Sequence, residues 1–351
     1  MKKTKSLLFF LMTLFLVVAL AACSDSEEAG DAEGSGDSEG SGGEVQEQEY
    51  PSSVTIGTGS QGGTYYIWGG GLASLLGDLD VTANVEVTGG PVHNIQLLDS
   101  GDIQLGMATV GPFYEGYNGE GEWTAGNTYK DLRVIFPMYV TPFHWYSNAS
   151  TGVTNIRDHE GERVGVGPAG GTPGTYNPQI YEALGIETGE QVQAGASDMT
   201  TQLLDGQLDH VGFAAGIPIA AVTEAETQAE INIYGIDGED RSKVIEELPF
   251  FQEFTIPEGT YEQQEGPIET IGQYNFGIIN KNANEDFVYD LVKAFHENND
   301  QMVQTHASAK NATEEAILNN KEFPMHPGAI KYYEEVGIDL PDAVYPEEYE
   351  K

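Results

Sequence analysis

The chain has 351 residues, 56 acidic against 15 basic, a formal net charge of -41 and one Cys. A single core seldom serves more than about 250 residues, so the length points to two lobes; 39% hydrophobic residues, with 14 Phe and 18 Tyr, exclude a disordered chain. One Cys excludes an intramolecular disulfide framework and Cys-rich zinc or iron–sulfur sites, and the acidity excludes nucleic acid as a partner, because its phosphates would be repelled.

The chain opens with Lys2, Lys3 and Lys5 and an apolar run over residues 7–22. That is a basic region followed by an apolar region too short for a comfortable membrane span, so residues 1–22 read as a signal peptide. The run ends in Leu20-Ala21-Ala22-Cys23, which resembles a bacterial lipoprotein cleavage box and implies a lipid on Cys23. Two acyl chains attach a protein stably where one is marginal. The protein is therefore expected outside the cytoplasm, anchored by lipid to the outer face of the cell membrane. Losing residues 1–22 removes three Lys and takes the charge from -41 to -44. Residues 24–49 hold ten acids, no bases, six Gly and five Ser; residues 23–50 thus read as an extended acidic linker.

In the body, Val54-Thr55-Ile56-Gly57 reads as a strand, residues 65–76 as a helix and 81–87 as a second strand. A helix over 93–100, a buried strand over 103–108 and another strand over 132–139 follow. A second unit repeats the plan, with a strand at Arg163-Val164-Gly165-Val166, a glycine-rich loop over 167–175 and a helix over 178–184. Gln96-Leu97-Leu98-Asp99 reappears as Gln202-Leu203-Leu204-Asp205, an offset of 106, and at that offset Gly106 matches Gly212 and Ala108 matches Ala214. Alternating strands and helices, given twice, predict an α/β chain of two similar lobes with a cleft at the carboxyl ends of their strands.

Gly57-Thr58-Gly59-Ser60-Gln61-Gly62 is a GxGxxG between a strand and a helix, with Asp80 and Glu86 near the distance at which a dinucleotide site carries its acid. The same backbone suits a small carboxylate, held by exposed N–H groups at a helix start and the hydroxyls of Thr58 and Ser60. Gly170-Gly171-Thr172 offers the same from the other lobe. Two ordinary strand-to-helix turns would also need glycines for geometry alone. An extracytoplasmic location and two matching loops favour the carboxylate.

Several segments resemble the TAXI family, the receptors of one branch of TRAP transporters. They are Thr58-Gly59-Ser60 with Gly62-Gly63-Thr64-Tyr65-Tyr66; Asn155-Ile156-Arg157-Asp158 through Gly161-Glu162-Arg163-Val164-Gly165-Val166-Gly167; Asp205-Gly206-Gln207-Leu208-Asp209 with Gly216-Ile217-Pro218; Ile256-Pro257-Glu258-Gly259-Thr260-Tyr261; and Met325-His326-Pro327-Gly328-Ala329. The resemblance spans roughly residues 52–340 in family order. It implies a two-lobed periplasmic-binding-protein fold of type II, with a hinge and an interlobe cleft. Lobe one would comprise residues 51–138 and 268–351, and lobe two residues 139–267. It further implies a solute-binding receptor that is not an enzyme, needs no cofactor, captures glutamate, 2-oxoglutarate or a related dicarboxylate, and delivers it to a TRAP permease driven by an ion gradient. One departure is that the family's Gly-Ser-Gly-Thr aligns with Gly170-Gly171-Thr172-Pro173, losing a hydroxyl and an N–H.

The ligand residues expected from lobe one are Thr58, Gly59, Ser60, Gly63, Tyr65, Tyr66, His93, Asn94 and Thr109; those from lobe two are Gly170, Gly171, Thr172, Ala215 and Gly216. Adjacent residues cannot both face one way, so only one of Tyr65 and Tyr66 should touch ligand. Asn94 could equally cap the start of its helix. Bidentate carboxylate binding favours Arg. Of the four, Arg157 and Arg163 flank a charged turn that suits solvated ion pairs, and Arg133, before a buried strand, is the best placed. Neutral amides, hydroxyls and Tyr are therefore expected to do most of the binding. The seven His show neither an i, i+4 pair nor HExxH, and nothing resembles a G-x-S-x-G or a Ser/His/Asp set in a recognisable context, so no catalytic or metal residues are expected. His326, before Pro327, should fix a turn. The charge, spread through the whole chain, reads as a halophilic surface that loses stability below molar salt. A sensory partner of a receptor kinase and an extracytoplasmic enzyme on the same scaffold are the alternatives.

Overall fold

The computed structural model describes residues 49–349. The expected signal peptide, Cys23 and nearly all of the expected acidic linker lie outside the described residues. From Pro51 onward the order is β1 (Ser53–Gly57), α1 (Thr64–Asp78), β2 (Thr82–Glu86), α2 (Pro91–Ser100), β3 (Leu105–Thr109), α3 (Val110–Asn118) and β4 (Leu132–Asn148). Then come β5 (Arg163–Gly165), α4 (Thr172–Leu184), β6 (Glu190–Val192), α5 (Ala196–Leu204), β7 (His210–Ala214), α6 (Ala220–Gln228), β8 (Ile231–Tyr234), α7 (Gly238–Glu247) and β9 (Gln252–Ile256). β10 (Ile268–Asn280) and the helices α8 (Glu285–Glu297), α9 (Asn299–Thr305) and α10 (Pro327–Glu335) complete the fold.

The strands form two arrays with the same order. The first runs β2-β1-β3-β10-β4 and the second β6-β5-β7-β4-β8. In each, three parallel strands are followed by one antiparallel strand and a final edge strand. This is the two-lobed type II periplasmic-binding-protein architecture. The repeat at an offset of 106 maps onto it: the matched Gln-Leu-Leu-Asp runs fall at the ends of α2 and α5, and the matched Gly and Ala fall in β3 and β7.

Two strands pass between the arrays. β4 pairs β10 through Pro142 and then β7 from Phe143. β10 pairs β9 over Ile268–Gly272 and β3 over Asn275–Ile279. The expected strand over 132–139 is thus the first half of a 17-residue strand, because its pairing partner changes without a break in the extended backbone. The expected loop over 167–175 is shorter than predicted, since α4 starts at Thr172 with Pro173 in its first turn, where a missing N–H costs nothing. α2 starts at Pro91 for the same reason.

Each lobe has its own core. Trp68, Leu72, Leu105, Met107, Phe136, Phe276 and Phe295 are among the residues that fill lobe one. In lobe two Val164, Tyr176, Ile180 and Phe251 form one cluster, and Met199, Leu203, Val211 and Val222 another. Among the described residues no helix is long and apolar enough to cross a membrane.

Candidate functional site

The parallel strands β1, β3, β5 and β7 end at the cleft, where ligands of open α/β sheets bind. The turns after β1, β5 and β7 carry the glycines that sequence singled out, and the turn before α2 adds Gly89 and Gly90. A cavity of ≈ 40 Å³ lies between the lobes, lined by Gly59, Ser60, Gly63, Thr64 and Tyr65, by Gly89, Gly90 and Pro91, by Thr141, and by Pro168, Gly171, Thr172, Pro173, Phe213, Ala214 and Ala215. None of these side chains is an acid, a Lys, an Arg or a His.

Three helices begin at this cavity. Gly63, Gly90 and Gly171 are the N-caps of α1, α2 and α4, and none of the three starts has a side-chain cap. Away from the cleft, Asn284 caps α8 and His326 caps α10 with their side chains. The first N–H groups of a helix lack intrahelical partners and carry partial positive charge. The cleft therefore presents uncapped helix starts and hydroxyls, an arrangement that receives an anion without a cationic side chain.

The lobes are closed upon each other. Val92 N donates to Gly170 O at 2.9 Å and Ala221 N to Gly62 O at 3.2 Å. The hydroxyls of Thr109 and Thr172 lie 2.8 Å apart. The Ser60 hydroxyl accepts from Ala196 N, at the start of α5, at 3.3 Å; Thr64 donates its hydroxyl to Gly216 O. A Cβ on Gly89 would sit 2.3 Å from Ala169 O, and one on Gly90, whose φ is +119°, 2.9 Å from the Gly171 Cα. Glycine at these positions serves the close approach of two backbones.

Beneath the cavity the crossing strands supply a polar floor. Asn275 donates Nδ2 to Tyr139 O at 2.8 Å and to the Thr141 hydroxyl at 2.5 Å, and its Oδ1 accepts from the Tyr65 hydroxyl. Burial holds the Tyr65 and Tyr139 phenols well above their ordinary pKa, so both stay protonated. At the side of the cleft, Glu115 of α3 accepts from Tyr176 Oη of α4 at 2.9 Å and from Trp123 Nε1 at 2.6 Å. Burial pushes the Glu115 carboxyl up, against the pull of those two donors.

Of the expected ligand residues, Gly59, Ser60, Gly63, Tyr65, Gly171, Thr172 and Ala215 line the cavity. Thr109, Gly170 and Gly216 adjoin it through interlobe bonds. Tyr65 faces the cleft floor and Tyr66 is exposed, as helical geometry requires of neighbours. Thr58, His93 and Asn94 do not line the cavity. The Thr58 hydroxyl turns to Glu86 O at 2.6 Å. His93 is exposed, with Nδ1 accepting from Gly89 N. Asn94 lies inside α2 rather than at its cap, fully buried, donating to Thr58 O and Met107 O at 2.9 and 3.0 Å.

Arg133 is not a ligand group, because β4 begins far from the cleft and its guanidinium pairs with Glu348 at 2.6 Å and donates to Lys130 O. Arg157 and Arg163 are in the partly exposed ion pairs expected of them, with Asp240 and Asp209. His326 turns the chain into α10 by accepting from Gly328 N. Sequence reasoning missed Thr141, Asn275 and Phe213. Thr141 was signalled only as a hydroxyl in an apolar strand; nothing local marks the other two.

Among solved structures the chain is similar to an ancestral arginine-binding protein bound to arginine (13% identity, TM-score 0.46, covering 75% of this chain and 97% of that one). It is also similar to an ABC uptake transporter substrate-binding protein from Streptococcus pneumoniae with bound histidine (13%, 0.46, 76% and 94%). A third is a histidine kinase sensor domain with similarity to periplasmic binding proteins (11%, 0.44, 76% and 97%). The sequence profile of the NMT1-like family matches residues 56–337, from β1 to the end of α10, and the chain belongs to that family.

Proposed function

We propose that the protein is an extracytoplasmic solute-binding receptor, not an enzyme, whose lobes close over a small carboxylate. The observation that carries this reading is the convergence of three helix starts without side-chain caps, at Gly63, Gly90 and Gly171, on one interlobe cavity, with α2 meeting Gly170 O of the other lobe through Val92 N. Gly59, Ser60, Tyr65 and Thr172, with the amides of the glycine turns, hold the ligand; β4 and β10, which pass between the lobes, are the hinge. Glutamate, 2-oxoglutarate and related dicarboxylates are the ligands that the TAXI resemblance supports, with a TRAP permease as the partner and lipid on Cys23 as the tether. A sensory partner of a receptor kinase would bind in the same way and differ in what its closed form touches. The charge of -41 is read as a halophilic surface.

The test is a thermal-shift screen of the full-length protein in detergent against carboxylates and their amides, run in dilute buffer and in molar NaCl. A ligand at 100 times its dissociation constant adds about 2.7 kcal/mol. A carboxylate that raises the melting temperature while its amide does not, on protein more stable in molar salt, is the expected result. No response to any carboxylate would overturn the ligand class, and a melting temperature indifferent to salt would overturn the halophilic reading.

A further inference from the structure

We infer that the ligand carries a carboxylate and no ammonium group, so that the cleft selects 2-oxo or 2-hydroxy acids over amino acids of the same skeleton. The inference rests on the receptor reading above and narrows its ligand class. It follows from what the cavity offers to a cation. An ammonium group taken out of water needs an anion or several free acceptors, or its burial is costly. No Asp or Glu lines this cavity. The nearby Glu115 already accepts from Tyr176 and Trp123 on its two oxygens, and Asp198 sits exposed in the first turn of α5.

Four of the surrounding carbonyls are engaged as well. Ser60 O accepts from Gly63 N at 3.1 Å, Pro168 O from Gly171 N at 3.0 Å and Gly170 O from Val92 N at 2.9 Å. Gly216 O accepts from the Thr64 hydroxyl. The starts of α1 and α4 present their positive ends, which attract a carboxylate and repel an ammonium group; the first N–H of α2, at Val92, is spent on Gly170 O. The remaining wall, made by Pro91, Pro168, Pro173, Phe213, Ala214 and Ala215, has no side-chain acceptor. A keto or hydroxyl oxygen at the second carbon would accept from the same free N–H groups, whereas an ammonium group would face them donor to donor.

The test compares acids that differ only at that carbon. Titration calorimetry of the full-length protein in detergent and molar NaCl, with 2-oxoglutarate against L-glutamate and pyruvate against L-alanine, reads the difference directly. In whichever pair binds, the oxo acid should bind at least about a hundredfold more tightly, since the site leaves the ammonium group unpaired. An amino acid that binds as tightly as its oxo acid would overturn the inference and leave the receptor reading standing. Binding by none of the four nor by any other carboxylate of the screen would overturn both.

Discussion

Glu115 and the buried histidines set opposite trends with pH. Burial holds His144, His296 and His326 down to about 4 and His159 to about 2, and lowers His210 and His306 as well. A depressed folded value means stability that is complete above the ordinary histidine range and is lost as pH falls through the folded values. Glu115, raised by burial, contributes in the other sense: its share is complete below the ordinary carboxyl value and is lost as pH rises through the folded one. Six histidines oppose one carboxyl, so the melting temperature in molar salt, which screens the net charge, should fall between pH 7 and pH 4. A melting temperature that rises over that interval would contradict the burial of these imidazoles. At this scale the sequence revealed the glycines and hydroxyls of the turns, because turn chemistry is local. It misjudged Thr58 and Asn94, whose side chains answer to partners on other elements, Glu86 and Met107, and His93, whose ring folds back on Gly89 in the turn before its own helix. The Thr141–Asn275 contact joins residues 134 apart and leaves no local trace.

The decisive elements are the turns that meet across the cleft. Gly89 and Gly90, at the start of α2, face Ala169, Gly170 and Gly171, before α4. A methyl group on Gly89 would overlap the Ala169 carbonyl, and its other near neighbour, His93 Cβ at 3.7 Å, is at ordinary contact distance. Gly89→Ala should therefore leave lobe one folded and oppose closure. Overpacking costs about 1–3 kcal/mol, and 1.4 kcal/mol is tenfold in affinity, so the variant should bind its carboxylate about tenfold or more weakly at a little-changed melting temperature of the free protein. Unchanged affinity by titration calorimetry would show that binding does not need this closed contact. The strands and helices of the repeated units, β1 to β3, β5 and β7 with α1, α2, α4 and α5, were legible, since alternation and helical spacing are written in short windows. The continuation of β4 to Asn148 was not, because only pairing with β7 and β8, formed by residues far along the chain, keeps that half extended.

At the scale of the molecule, two arrays of one order share β4, and β10 runs on from the first array to pair with β9, so a change in the angle between the lobes must be absorbed where those strands cross. The duplicated Gln-Leu-Leu-Asp run makes the twofold plan legible in the amino-acid sequence, because equivalent helix–strand units face equivalent packing in both lobes. What the repeat does not convey is that each long strand serves both lobes. In the function proposed here, a carboxylate brings uncapped helix starts together by closing these lobes. Hydrogen exchange of the full-length protein in detergent, followed at the Val92 and Ala221 amides that bridge the lobes, tests that closure most directly. With saturating 2-oxoglutarate, or pyruvate if that is the acid that binds, both amides should exchange more slowly in the wild type and should be protected far less in Gly89→Ala. Binding that leaves both amides unprotected, or protects them equally in the two proteins, would contradict it.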